Sequence, residues 1–108
     1  MSKQITIKSP EKKDSSIMKL YVELATYLKY FGFKIFPMIE INTKKKIYKT
    51  ILFCFEGENI LIEYINSKNE LMLKVNFYPL NVSVIYDMIL MRINQIARLQ
   101  KEKVIIES

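Results

Sequence analysis

From Phe33 to Tyr78 the chain alternates apolar and polar residues in four runs parted by three short polar turns. So little chain between runs leaves only antiparallel neighbours as partners. The runs are Phe33 to Ile41, Ile47 to Phe55, Ile60 to Ile65 and Leu71 to Tyr78. The turns are Asn42 to Lys46, Glu56 to Asn59 and Asn66 to Asn69, the second marked by Gly57 and Asn59. Phe33, Ile35, Ile39 and Ile41 share one parity, as do Ile47, Ile51, Phe53 and Phe55, and Leu71, Leu73, Val75 and Phe77. These are the expected core faces. Pro37 lacks an N–H donor, so the first run is expected at a sheet edge or with a bulge.

Helical periods flank this meander. Ser9-Pro10-Glu11 offers a capping serine, a proline suited to the first helical position and an early acid, with Asp14 and Ser15 as alternative caps. Ile17, Leu20, Tyr21, Leu24, Leu28 and Phe31 then recur at spacings of three and four, and Gly32 supplies the stop. Before them, Gln4 to Lys8 predicts a short edge strand. After Pro79, Asn81 or Ser83 can cap a last helix running to about Lys103. Its first half, from Val84 to Ile93, is apolar in nearly every direction and must bury more than one face, against the sheet and against the first helix or a second subunit. Val104-Ile105-Ile106 reads as a short extra strand or a docking tail. The expected fold is α+β: an antiparallel four- to five-stranded meander sheet packed by an N-terminal helix and a long C-terminal helix, in a single domain over residues 1–108.

Charge and composition narrow the function. Seventeen Lys and Arg stand against 11 Asp and Glu, a net charge of +6, and only Arg92 and Arg98 are arginines. Such an excess favours polyanions, and lysine favours phosphate over base readout. It also suits a chain that must solvate a fold half of whose residues are apolar. No apolar run is long enough to span a bilayer, and Met1 to Pro10 is too polar for a secretory signal. One cysteine, Cys54, fits a reducing, cytoplasmic setting.

Most catalytic chemistry is excluded by residue type. Without histidine there is no Ser-His-Asp or Cys-His system, one cysteine forms no zinc cluster within a chain, and two glycines build neither a P-loop nor a dinucleotide fingerprint. Glu56, Glu58 and Glu63, with Asp87, are the one carboxylate set suited to Mg²⁺, as in a small nuclease; acids around a turn are more often solvated surface. Cys54, between Phe53 and Phe55, has no basic partner in view and reads as a packed thiol. The reading is of a non-enzyme with no metal and no cofactor.

Two surfaces remain. Lys44, Lys45, Lys46 and Lys49 cluster on the first hairpin beside Tyr48 and Thr50, which share the parity opposite the expected core. Lysines for phosphates and an aromatic for a base are what a nucleic-acid-binding sheet needs, and equally what guards a hairpin end. The second surface is apolar. Phe36, Met38, Leu52, Leu61, Ile65, Met72 and Tyr78 make the lower parity of the sheet too apolar for open solvent, and with Ile85, Met88, Leu90 and Met91 on the last helix they suggest a homodimer or a protein partner.

The order of strand, helix, hairpin strands and long C-terminal helix resembles the Pcc1 family, the small dimerising subunit of the KEOPS tRNA-modification complex. That resemblance implies a homodimer that bridges protein partners. The family's last helix carries a leucine-arginine pair followed one turn later by asparagine; here the stretch reads Ile85-Tyr86 with Leu90, and the meander holds one strand more. The leading expectation is a small basic non-catalytic nucleic-acid-binding protein, DNA or RNA, contacting phosphate backbones with little sequence specificity. The alternative is a dimeric assembly or adaptor subunit, of the Pcc1 type or an inhibitor-type protein of a mobile element.

Overall fold

Hairpin chemistry builds the sheet, and the computed structural model describes it over residues 3–78, 83–100 and 103–108. The elements run β1 (Lys3–Lys8), α1 (Asp14–Tyr30), β2 (Lys34–Asn42), β3 (Lys46–Phe55), β4 (Glu58–Ser67), β5 (Leu71–Tyr78), α2 (Ser83–Gln100) and β6 (Ile105–Glu107). The fold is α+β, with one antiparallel six-stranded sheet in the order β2-β3-β4-β5-β1-β6. Glu56 and Gly57, at φ 46° and 81°, make the two-residue β3–β4 turn whose twist matches that of its strands.

The sheet exceeds the expected four to five strands because the tail adds β6. β1 is therefore interior, not an edge, paired with β5 on one side and with β6 through Thr6, Ile7 and Lys8 on the other. Of the two readings of Val104-Ile105-Ile106, an extra strand or a docking tail, the strand is the one found, shifted to Ile105–Glu107. An ion pair of 3.0 Å between Lys8 and Glu107 sits on this pairing.

The bulge at Pro37 is present and moves two residues. Register shifts between Pro37 and Ile39, so Ile35 still faces Phe53 on the core side, while Ile39 and Ile41 pair with Thr50 and Tyr48 on the opposite face. The expectation that Ile39 and Ile41 share the core parity is corrected: one extra residue inverts every side chain beyond it. The Ile39 N–H is held by the Thr50 hydroxyl at 3.1 Å.

Helix α1 starts at Asp14, later than the Ser9-Pro10 signal. The Ser9 hydroxyl instead accepts the Lys13 N–H at 2.9 Å in the connection ahead of the helix, and Asp14 complements the first-turn dipole. Ile17, Leu20, Leu24 and Leu28 are at most 1% exposed, each burial contributing roughly 1.5–3 kcal/mol. The helix closes with Gly32 N–H on the Lys29 carbonyl and Phe33 N–H on that of Leu28, which requires the positive φ of Gly32, +104°. Phe31 turns out to solvent, and Phe33 takes the buried place against Phe55, ring centroids 5.3 Å apart.

Both helices lie on one face. Ile89, Ile93 and Ile96 of α2 join Ile5, Ile7, Phe53, Ile62, Val75 and Phe77 in a single core, with Tyr86 edge-on to Phe77 at 5.1 Å. The Arg92 guanidinium lies 5.4 Å over Tyr27 and links α2 to α1. Helix α2 is described over Ser83–Gln100, and Lys103 is not helical. Pro79 and Asn81 lie outside the described residues. Neither helix packs on the other sheet face, where Phe36, Leu52, Leu61, Ile65, Met72 and Tyr78 fall as their parity predicts, although Ile65 and Met72 are only 7% and 5% exposed within the chain itself. Among the described residues no helix is long and apolar enough to cross a membrane.

Candidate functional site

Alternate turns of a meander return to the same end of a sheet, so the β2–β3 and β4–β5 turns lie side by side, joined here by the β1–α1 connection. A bond of 3.0 Å from the Ser9 N–H to the Leu71 carbonyl holds that connection against β5. Between the three segments is a cleft of about 670 Å³, lined by Lys12, Lys44, Lys45, Lys46 and Lys68 together with Thr43, Ile47, Asn66 and Ser67.

Each turn is fixed by its own polar residues. The Thr43 N–H donates to the Lys46 carbonyl at 2.9 Å, and the Thr43 hydroxyl accepts the Lys46 and Lys45 N–H groups at 3.1 and 3.3 Å. That leaves Lys44 and Lys45 displayed at the apex. Across the cleft, the Ser67 N–H donates to the Glu70 carbonyl at 2.9 Å, and Lys68 sits in the turn so closed. Lys12 is the bolt between the two sides. Its ammonium donates to the Ser67 carbonyl and, at 3.1 Å, to that of Lys68, while its own backbone takes φ 53°. None of these five lysines belongs to an ion pair among the described residues. A phosphate entering the cleft would meet ammonium groups not already matched to carboxylates.

The hairpin cluster read from sequence divides on folding. Lys44, Lys45 and Lys46 line the cleft. Lys49 points to the helix-bearing face, 3.2 Å from Glu40. Tyr48 points to the uncovered face, where its hydroxyl donates to Glu63 at 2.7 Å, and Lys46 lies 5.5 Å over its ring. Its phenol is pushed up to about 12, first by that hydrogen bond, then by burial and by the Glu63 charge. Sequence reasoning missed Lys12 and Lys68, which are far from the hairpin along the chain.

The other candidates also separate. Glu58 shares the parity of Ile60 and Ile62 on the helix side, whereas Glu63 shares that of Leu61 on the uncovered side, so the carboxylates expected to share Mg²⁺ are divided by the sheet. Among the described residues no group of three or more His, Cys, Asp or Glu is placed to hold a metal ion. Cys54 is half-buried on the uncovered face. On α2, Ile85 and Leu90 pack against the chain's own core, Met88 is half-buried, and Met91 is exposed.

The uncovered face has a polar centre and an apolar margin. Glu63 accepts from Tyr48 and, at 2.9 Å, from the Asn76 amide, whose carbonyl accepts the Gln4 amide at 2.6 Å, a chain across β3, β4, β5 and β1. Around it Phe36, Ile39, Ile41 and Tyr78 are 42–53% exposed, while Met38, expected on this face, is the bulge residue without a register partner and lies beside Tyr21, Ile35 and Pro37. Family models and curated proteins were both searched, and neither yields a match to this chain.

Proposed function

We propose that this protein is a small, basic, non-catalytic nucleic-acid-binding protein that grips phosphate backbones in the lysine cleft, with little sequence specificity. One observation carries the reading: Lys12, Lys44, Lys45, Lys46 and Lys68 converge from three separate connections on a single cleft without carboxylate partners among the described residues. Lys49 flanks the cleft, and Tyr48 supports it by carrying Lys46 over its ring. Because the cations are lysines, affinity comes from point charges on phosphate, which do not distinguish bases. A reducing, cytoplasmic setting goes with this reading, since Cys54 has no second cysteine in the chain.

The test is an anisotropy titration of labelled DNA and RNA at two salt concentrations. Each phosphate neutralised contributes about −0.7 (single strand) to −0.9 (duplex) to the slope of log K against log salt, so an engaged cleft gives a slope of roughly −3. Replacing Lys44, Lys45, Lys46 and Lys68 together with alanine abolishes binding if the reading is right. Undiminished binding by that variant, or affinity indifferent to salt, defeats it.

A second reading, a homodimeric assembly or adaptor subunit, is favoured by the uncovered sheet face. Three of its four exposed apolar side chains, Phe36, Ile39 and Ile41, lie on the edge strand β2. On this reading the association surface is the sheet, with Met91 and Met88 of α2 at most an addition.

A further inference from the structure

Resting on the lysine-cleft reading, we infer that the bound strand is single, and that one unpaired base leaves it to enter a cavity between α1 and the sheet. The cavity measures about 320 Å³, in the size range of small-molecule sites. It forms because α1 begins only at Asp14 and leaves the far ends of β3 and β4 partly bare. Met18, Ile47, Ile51 and Ile62 provide apolar walls, and Tyr21 and Tyr64 the aromatic ones.

Three observations tie it to the cleft. Ile47 lines both spaces, so they share a wall. Asn66, a cleft residue, donates its amide to the Tyr64 hydroxyl at 3.3 Å. Ile47 and Asn66 form one register row and Lys49 and Tyr64 the row two residues on, roughly 7 Å along the strands. A chain held by its phosphates on Lys44, Lys45 and Lys68 thus runs past an apolar, tyrosine-walled opening. A phosphodiester with an unpaired base matches that pairing of surfaces, because every base has an apolar π-face to bury against aromatic side chains. A duplex does not match it, since its bases are stacked and paired inside. Tyr48, the aromatic nearest the lysines in sequence, faces away and is bound to Glu63. Tyr64 is held by donating to Asp14, and burial foremost, with that bond, pushes its phenol up to about 12, so it remains a neutral ring at working pH.

The experiment compares four probes at one salt concentration: a single-stranded oligonucleotide carrying 2-aminopurine, its duplex, the matching mononucleotide and inorganic polyphosphate. The expected result is single-strand binding roughly 10-fold tighter than duplex, the size of one base buried against an aromatic, with a change in 2-aminopurine emission. Met18→Trp, which fills the cavity from an exposed rim, brings single-strand affinity down to the duplex value and leaves the salt slope unchanged. Should that variant misfold by circular dichroism, Met18→Phe, a smaller filling at the same rim outside the cleft, replaces it. Equal single-strand and duplex affinity with unaltered emission overturns the base pocket while leaving the lysine cleft standing. A mononucleotide binding as tightly as the oligonucleotide overturns the strand. Failure of every probe, polyphosphate included, overturns the cleft itself and this inference with it.

Discussion

Tyr48 of β3 and Glu63 of β4 are diagonal neighbours on the sheet face that carries no helix, Glu63 lying directly opposite Thr50, and a hydrogen bond of 2.7 Å runs from the phenol to the carboxylate. The bond needs the phenolic proton, and an ionised Tyr48 would face the Glu63 charge directly. Its phenol is accordingly raised from 10.0 to about 12. A group with a raised folded-state pKa contributes stability that is complete below its unfolded value and fades as pH rises through the folded one. Tyr48→Phe should therefore be less stable than the parent at pH 8, with the gap closing between pH 10 and about pH 12. Tyr64 titrates in both proteins and cancels from the difference. Denaturant midpoints at five pH values across the window measure this, and a constant gap would show that the bond does not depend on the proton. Solvent screening at this half-exposed pair keeps the effect modest.

At the Pro37 bulge the Ile39 N–H has lost its ladder partner and takes the hydroxyl of Thr50, which is 4% exposed. Thr50→Val keeps the shape and strands that donor, at a cost of about 1–2 kcal/mol. Thr50→Ser keeps the acceptor and loses a methyl, costing under about 1 kcal/mol. Chemical denaturation orders the three as parent, serine, valine; valine equal to parent would mean that water serves the N–H equally well.

That bulge also marks where sequence reading stops. The meander, the buried stripe of Ile17, Leu20, Leu24 and Leu28, and the parity of Leu71 to Phe77 are set by local period and turn chemistry, and they are as expected. Ile39 and Ile41 are misassigned because a single extra residue, invisible to a period-2 count, inverts the strand beyond it. The site divides the same way. Lys44, Lys45 and Lys46 are adjacent in sequence and stand out. Lys68 was open to inference, since alternate meander turns share an end. Lys12 was not, because its place depends on β1 lying beside β5 and on a Ser9 to Leu71 bond that no local pattern announces.

Lys12 combines two opposing effects that substitution separates. Its φ of 53° is unfavourable for a residue with a β-carbon, while its ammonium bridges the Ser67 and Lys68 carbonyls. Lys12→Ala loses the bridge and keeps the strain, whereas Lys12→Gly loses the bridge and relieves it. Glycine is expected to be more stable than alanine by about 1 kcal/mol in thermal or urea denaturation. Both variants should weaken polyanion binding equally, since the charge is gone from each; unequal binding would mean that the connection's conformation, and not the ammonium, serves the cleft.

The uncovered sheet face separates the two functional readings. If it is an association surface, lysines placed at Phe36 and Ile41 put like charges where two apolar margins would meet. Both side chains are about half exposed, so the fold should tolerate the change. Multi-angle light scattering at tens of micromolar is then expected to give a dimer for the parent and a monomer for Phe36→Lys with Ile41→Lys. The alanine variant at Lys44, Lys45, Lys46 and Lys68 should stay dimeric, because the cleft and this face share no apolar side chain. A monomeric parent removes the assembly reading, and the exposed β2 then demands a different account: Pro37 and the bulge, by denying an incoming strand a continuous row of donors, would be what keeps this edge single.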